Sequence, residues 1–201
     1  MCLHVTSRPT CAEALELLKA GNLRFLAGTP HSGPFGPRVA DFARERNPYA
    51  VILGCSDSLV PIETVFDVVP GKLFVVRVAG NFLNDDNLGS IEYAIDVLGA
   101  KLIVVLGHGG CGALTAALDY VRNGVGQPGH IQGVINAVAP AVLAARGFSG
   151  DWLENAIVQN VALNVKALTD ASKIISDRVA SGDVQVIGGI YNVNTGWVAF
   201  S

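Results

Sequence analysis

Four short apolar runs set what this chain can become. Residues 49–53 (Tyr-Ala-Val-Ile-Leu), 73–78, 102–106 and 184–191 are rich in β-branched residues and carry little polar alternation. That is the pattern of strands buried inside a sheet. The segments between them have helical spacing: Leu88, Ile91, Ile95 and Leu98 mark one helix face, and residues 113–122 and 131–146 read as two more helices. Strands alternating with helices imply an α/β fold, a mostly parallel central sheet flanked by helices with right-handed crossovers. A last run, residues 197–200, follows its predecessor after the short turn Asn194-Thr195-Gly196. So short a connection makes the C-terminal strand antiparallel.

The chain before the first strand is helical and then irregular. Thr10-Cys11-Ala12-Glu13 is a capping box, opening a helix that carries Leu15, Leu18 and Leu26 and fades at Gly28. Residues 29–37 form a Gly/Pro-rich loop containing His31, and residues 39–46 read as a short helix. Residues 62–68 read as a short helical segment, and residues 152–181 as one long helix. Pro140 is expected to kink or split the helix over 131–146. With 201 residues, no repeat and no linker, residues 1–201 make a single domain.

Half of the residues are hydrophobic and 15% are charged. For a domain of this size that suggests apolar surface covered by another subunit. A net charge of −3 leaves no electrostatic footprint for nucleic acid. No apolar run reaches membrane-spanning length, and residues 1–10 lack the apolar core of a signal peptide, so a cytoplasmic location is expected. The four cysteines, Cys2, Cys11, Cys55 and Cys111, form no C-x-x-C pair. In a reducing compartment they are expected as thiols.

Two strand ends carry the chemistry. The first run leads into Gly54-Cys55-Ser56-Asp57-Ser58-Leu59-Val60-Pro61, and the third into Gly107-His108-Gly109-Gly110-Cys111-Gly112. Two thiols, an imidazole and a carboxylate are a donor set for zinc. In a parallel sheet ligands sit beyond the carboxyl ends of strands, at the point where strand order reverses. If the first and third strands are neighbours, Cys55 and His108 can share one ion, and Cys111 is three residues further along a glycine-rich turn. The bland alternative is two small buried cysteines and a core histidine. A second alternative is a dinucleotide site, because Gly107-x-Gly109-x-x-Gly112 fits G-x-G-x-x-G between a strand and a helix. That reading needs an acid at the next strand end, roughly 20 residues on; residues 123–133 offer neither acid nor strand. Asp57 could also cap a helix starting near Val60.

Taken together, Cys55-Ser56-Asp57-Ser58-x-Val60-Pro61, Arg77-x-Ala79-Gly80-Asn81, and His108-x-x-Cys111-Gly112 resemble the β-class carbonic anhydrase family, and the likeness extends to the closing Gly189-x-Tyr191…Gly196 hairpin. The resemblance implies zinc held by Cys55, His108 and Cys111, reversible hydration of carbon dioxide to bicarbonate, and a homodimer or homotetramer. It also implies that the N-terminal helical arm, residues 1–46, packs on a partner subunit. Asp57 matches the residue that accepts a hydrogen bond from the zinc-bound water, and Leu59, Gly109 and Gly110 are expected to line the substrate pocket. The family subgroup with a regulatory bicarbonate site carries Trp three residues before the first ligand; Ile52 stands there, so no such site is expected.

One departure falls inside the catalytic motif. The family pattern reads Cys-x-Asp-x-Arg, and Leu59 stands in the arginine's place. That arginine holds the aspartate off the metal. Without it, three outcomes are open: Asp57 becomes a fourth ligand and closes the site, Arg77 or Arg38 replaces the lost partner, or backbone amides near Val60 hold the carboxylate. The apolar Leu59 also suits a sulfur-containing substrate, so hydrolysis of carbonyl sulfide or carbon disulfide is the alternative activity, and a weak or silent zinc protein is the third reading. His31 and His130 are candidate proton shuttles, although exposed loop histidines explain them equally well.

Overall fold

The computed structural model describes residues 8–31 and 46–201. The expected helix over 39–46, and Arg38, lie outside the described residues, apart from Arg46 itself. Five strands form one sheet in the order β2-β1-β3-β4-β5. They are β1 (Ala50–Gly54), β2 (Leu73–Arg77), β3 (Leu102–His108), β4 (Gln185–Tyr191) and β5 (Val198–Phe200). The first four run parallel, and β5 turns back antiparallel on β4 with Tyr191 opposite Val198. The α/β class, the parallel core and the antiparallel C-terminal strand are as the sequence pattern implies.

The strands are apolar on both faces because both faces are covered. Ala50, Ile52, Val104 and Leu106 point to the side where α1 (Cys11–Ala27) and α2 (Ile62–Val65) pack. Val51, Leu53, Ile103 and Val105 point to the other side, against α3 (Asp85–Asp96), α6 (Trp152–Ala171) and α7 (Lys173–Ala180). The two helices between, α4 (Gly112–Asn123) and α5 (Ile131–Ala144), build a third apolar cluster that contains Cys55 and Cys111.

Two helical expectations change. The run over 152–181 is two helices, because Ser172 adopts an extended conformation (φ −118°, ψ 114°). Its hydroxyl accepts the Ile175 N–H to cap α7 and donates to Glu92 Oε1 on α3 at 2.6 Å. A buried Ser with two partners outweighs the helical periodicity around it. Conversely, α5 runs on through Pro140 without splitting.

α1 begins at the expected capping box and ends at Gly28, whose φ of 65° only glycine adopts without strain. Its inner face, Ala14, Leu18, Gly21 and Asn22, is buried on this chain's own sheet. Gly21 is required there, since a Cβ would sit 1.8 Å from the Phe66 carbonyl oxygen. The outer face leaves Leu17 and Leu23 exposed. Asn22 bolts the helix down: Nδ2 donates to the carbonyls of Val65 (3.2 Å) and Gly196 (2.8 Å), and Oδ1 accepts from Val198 N–H (3.0 Å). Replacing it with alanine strands three buried backbone groups. Asn22→Ala is therefore expected to cost about 2–4 kcal/mol, read as a lower urea midpoint at unchanged slope.

Candidate metal centre

The sheet topology brings the two motif ends together. From β1 the chain goes to β2 on one side; from β2 it crosses back to β3 on the other, so strand order reverses between β1 and β3. Gly54 pairs with Leu106 there, and Cys55 and His108 leave the sheet side by side. Cys111 follows as the residue before α4. The Sγ atoms of Cys55 and Cys111 and a ring nitrogen of His108 lie within 4.8 Å of one another, and all three residues are buried.

The donor set fits a metal ion. His108 Nδ1 lies 3.1 Å from the Gly109 carbonyl oxygen, which can only accept, so Nδ1 carries the proton and donates. Nε2 is left as a buried lone pair with no partner. A buried ring nitrogen without a partner is costly unless something binds it, and an outward N–H bond of this kind is how metal-ligating histidines are oriented. Two sulfurs and an imidazole within reach of one ion match zinc, whose bonds run about 2.3 Å to sulfur and 2.0–2.1 Å to nitrogen.

Without metal the two thiols are shifted in opposite directions. A hydrogen bond from Cys111 holds the Cys55 thiol down to about 4, with further help from His108 and from the Gly80 and Asp57 amides. The same hydrogen bond to Cys55, together with burial, pushes the Cys111 thiol far up. Burial works against a charged His108, but the nearby Cys55 sulfur raises its pKa overall. The pocket thus favours negative charge on one sulfur, beside an imidazole.

The surrounding residues divide into those the geometry gathers and those it does not. Asp57 follows Cys55 by two residues, and its Oδ1 accepts the Leu59 N–H at 2.8 Å. That closes a local turn of the kind Asp side chains make with their own backbone. It caps no helix, since α2 starts at Ile62 with Pro61 before it. Arg77, at the end of β2, reaches Asp57 through the main chain: Nε donates to the Cys55 carbonyl (2.9 Å) and Nη2 to the Asp57 carbonyl (2.6 Å). Among the described residues no Lys or Arg side chain forms an ion pair with the Asp57 carboxylate. The Leu59 side chain is 64% exposed. Gly109 and Gly110 leave open space: a Cβ on Gly109 would meet only Glu154 Oε1, at 3.9 Å, and Gly110 has φ 66°. Gly107 is a packing glycine, since a Cβ would lie 2.7 Å from Val161 Cγ2. His31 and His130 are exposed, and the His31 amide is bonded to Asp67.

Two features escaped the sequence reading. The Gly80 N–H donates to Cys55 Sγ at 3.3 Å, and Asn160 of α6 donates from Nδ2 to the Gly80 carbonyl at 2.8 Å. The available signal was a pair of asparagines, Asn160 and Asn164, on the otherwise apolar face of a helix.

Because its surroundings lower the pKa of the Cys55 thiol, metal uptake at pH 7.5 is expected to release fewer protons than the two thiols of an ordinary cysteine pair would. Calorimetry in buffers of different ionisation enthalpy reads this number. Cys111→Ser and His108→Ala are each expected to abolish stoichiometric binding.

A family profile described as "Carbonic anhydrase" matches residues 50–198. Carbonic anhydrase 2 of Mycobacterium tuberculosis is 41% identical over 184 residues, covering 91% of this chain and 89% of that protein. A carbonic anhydrase of Mycolicibacterium smegmatis is 38% identical over 186 residues, covering 92% and 90%. Among solved structures, the β-carbonic anhydrase CafA of Aspergillus fumigatus superposes with a TM-score of 0.68 at 26% identity, over 82% of this chain and 80% of that one. The β-carbonic anhydrase CcaA superposes with a TM-score of 0.70 over 92% and 94%; at 24% identity it speaks to the fold alone.

Proposed function

The chain belongs to the β-carbonic anhydrase family, and from that premise we propose that it hydrates carbon dioxide reversibly to bicarbonate and a proton, with zinc held by Cys55, His108 and Cys111. The observation that carries the reading is the convergence of three buried donor atoms, one of them an unpartnered Nε2, at the switch point of the sheet. When bound there, zinc supplies Lewis acidity, lowering the pKa of a coordinated water to about 7.

The chain's own residues hold and orient. Arg77 braces the carbonyls of Cys55 and Asp57, which fixes the loop between the first ligand and the carboxylate. Asp57 is the acceptor for a proton of the reacting water. Its Oδ1 is committed to the Leu59 amide, leaving Oδ2 for that purpose. The amide supports the reading in which a backbone donor does the work of the missing arginine and keeps Asp57 out of the metal's coordination. Leu59, Gly109 and Gly110 offer an apolar, uncluttered approach for a small neutral substrate.

Assembly and location belong to the same reading. The exposed Leu17 and Leu23 of α1 and the half-exposed Trp197 support a homodimer or homotetramer in which the N-terminal arm meets a partner. One fold relative, from Sordaria macrospora, is described as tetrameric. Unpaired Cys11, Cys55 and Cys111 suit the reducing cytoplasm. No helix among the described residues is long and apolar enough to cross a membrane.

A second reading rests on Leu59. An exposed leucine where the family carries arginine favours a less polar substrate, carbonyl sulfide or carbon disulfide, on the same ligands.

Stopped-flow hydration of carbon dioxide by zinc-loaded protein, over roughly pH 6.5–9.5, decides among these. Turnover is expected to rise with pH to a plateau. A flat trace at the uncatalysed rate would overturn the proposal, and sulfide release from carbonyl sulfide at a higher kcat/KM would favour the second reading.

Asp57→Asn is expected to lower turnover about 10²-fold, within the range for a positioned proton acceptor. Leu59→Arg is expected to change it by less than about tenfold, or 1.4 kcal/mol; a larger gain would mean that the Leu59 amide does not hold Asp57 adequately.

A further inference from the structure

The hydrogen bond on the Cys55 sulfur is aimed from outside the metal centre. Residues 78–81 form a tight turn, closed by Asn81 N–H to the Val78 carbonyl at 2.9 Å. Gly80 occupies its third position with φ 82°, the left-handed value that a type II turn requires. The middle peptide of that turn, between Ala79 and Gly80, carries the N–H that donates to Cys55 Sγ. In a type I turn the same peptide is turned over, which would aim the Ala79 carbonyl oxygen at the sulfur in place of the N–H. The direction of one peptide plane therefore decides whether the sulfur meets a donor or an acceptor.

α6 holds this turn. Asn160 donates from Nδ2 to the Gly80 carbonyl at 2.8 Å. One helical turn on, Asn164 donates from Nδ2 to the Asn160 main-chain carbonyl at 2.8 Å and to Asn160 Oδ1 at 3.3 Å, which sets the orientation of the first carboxamide. Asn164 Oδ1 accepts the Leu83 N–H at 2.7 Å. Residues 80 and 83 are thus tied to the same helix face, which otherwise presents Ile157, Val161 and Leu168 to the core. Asn160 is 2% exposed and Asn164 8%. Buried carboxamides are costly among such neighbours unless their bonds serve a purpose. Gly80 itself is fixed by its φ and by Val138, whose Cγ1 would lie 2.8 Å from a Cβ.

We propose that Asn160, oriented by Asn164, is a positioning residue for the metal centre: by holding the Gly80 carbonyl, in the peptide after the one that faces Cys55, it fixes the turn in the form that keeps the Gly80 N–H on the Cys55 sulfur, where it draws charge from it. The strength with which Cys55 donates to the metal is then set from α6. This rests on the reading of Cys55, His108 and Cys111 as metal ligands.

The test replaces zinc with cobalt(II) in the full chain and records the sulfur-to-cobalt charge-transfer absorption. Asn160→Leu keeps the side-chain volume and removes the donor. The absorption is expected to move to longer wavelength, because a sulfur without its N–H holds its lone pairs less tightly. Cobalt binding is expected to weaken about 10–100-fold, as for loss of an outer-shell partner. An unchanged spectrum and affinity, with only a lower Tm, would make Asn160 a packing residue and overturn the proposal.

Should Asn160→Leu not fold, the wild-type protein loaded with NMR-active cadmium serves. The Gly80 amide proton is expected to couple to cadmium through the Cys55 sulfur, and no coupling would overturn the proposal. A wild-type protein with no sulfur-to-cobalt absorption would instead sink the metal reading, and the inference with it. The wild-type spectrum tells the two failures apart.

Discussion

The parallel pairing of β1 with β3 is the constraint on which the site depends. Cys55 and His108 are far apart in the chain, and nothing local holds them together. The ladder that sets Gly54 opposite Leu106 does so, through backbone hydrogen bonds that make no use of the donor residues. The pairing is secure because both faces of both strands are fully buried, under α1 and α2 on one side and α3 and α6 on the other. A slip by one residue would turn Ile52 and Val104 toward the wrong layer, and the apolar packing of two faces opposes it. The candidate metal centre therefore inherits its precision from a core that has no chemistry of its own.

Charge is the second organising fact. Negative charge on a buried sulfur has to be compensated, and for Cys55 the means are distributed: a thiol proton from Cys111, His108 beside it, and amides of Gly80 and Asp57, all of which lower its pKa. Each contributor comes from a different element. The Arg77 guanidinium, which a charge-based reading would send to the Asp57 carboxylate, is used on carbonyls instead. Its role is to hold backbone, where planar, multiply donating geometry is most effective.

Much of this was legible in the sequence, for reasons that can be named. Continuous apolar runs identify strands buried on both faces, and the glycine-rich ends of two of them displayed the donor atoms. The capping box at Thr10 marked the start of α1 to the residue. What stayed hidden depends on long-range geometry. Ser172 interrupts a well-formed helical period only because Glu92, eighty positions away, takes its hydroxyl hydrogen. Asn160 and Asn164 look like polar intrusions until the turn at Gly80 is beside them. Leu59 was visible as a departure, but its main-chain N–H, which every residue except proline carries, is the part that holds Asp57. Substitution patterns report side chains, and this contact belongs to the backbone.

The three bonds of Asn22 have a bearing on how the chain acquires its fold. They join the first helix to the Val65 carbonyl and to Gly196 and Val198 in the last hairpin. During synthesis α1 leaves the ribosome well before that hairpin, so it waits for its full set of partners. Closing so long a loop is slow. In the interval Leu18 and its neighbours lack part of their cover, an exposure of the kind that chaperones recognise. Helix and hairpin are made to wait for each other, and a nascent chain cut short before the hairpin would carry an undocked amphipathic helix.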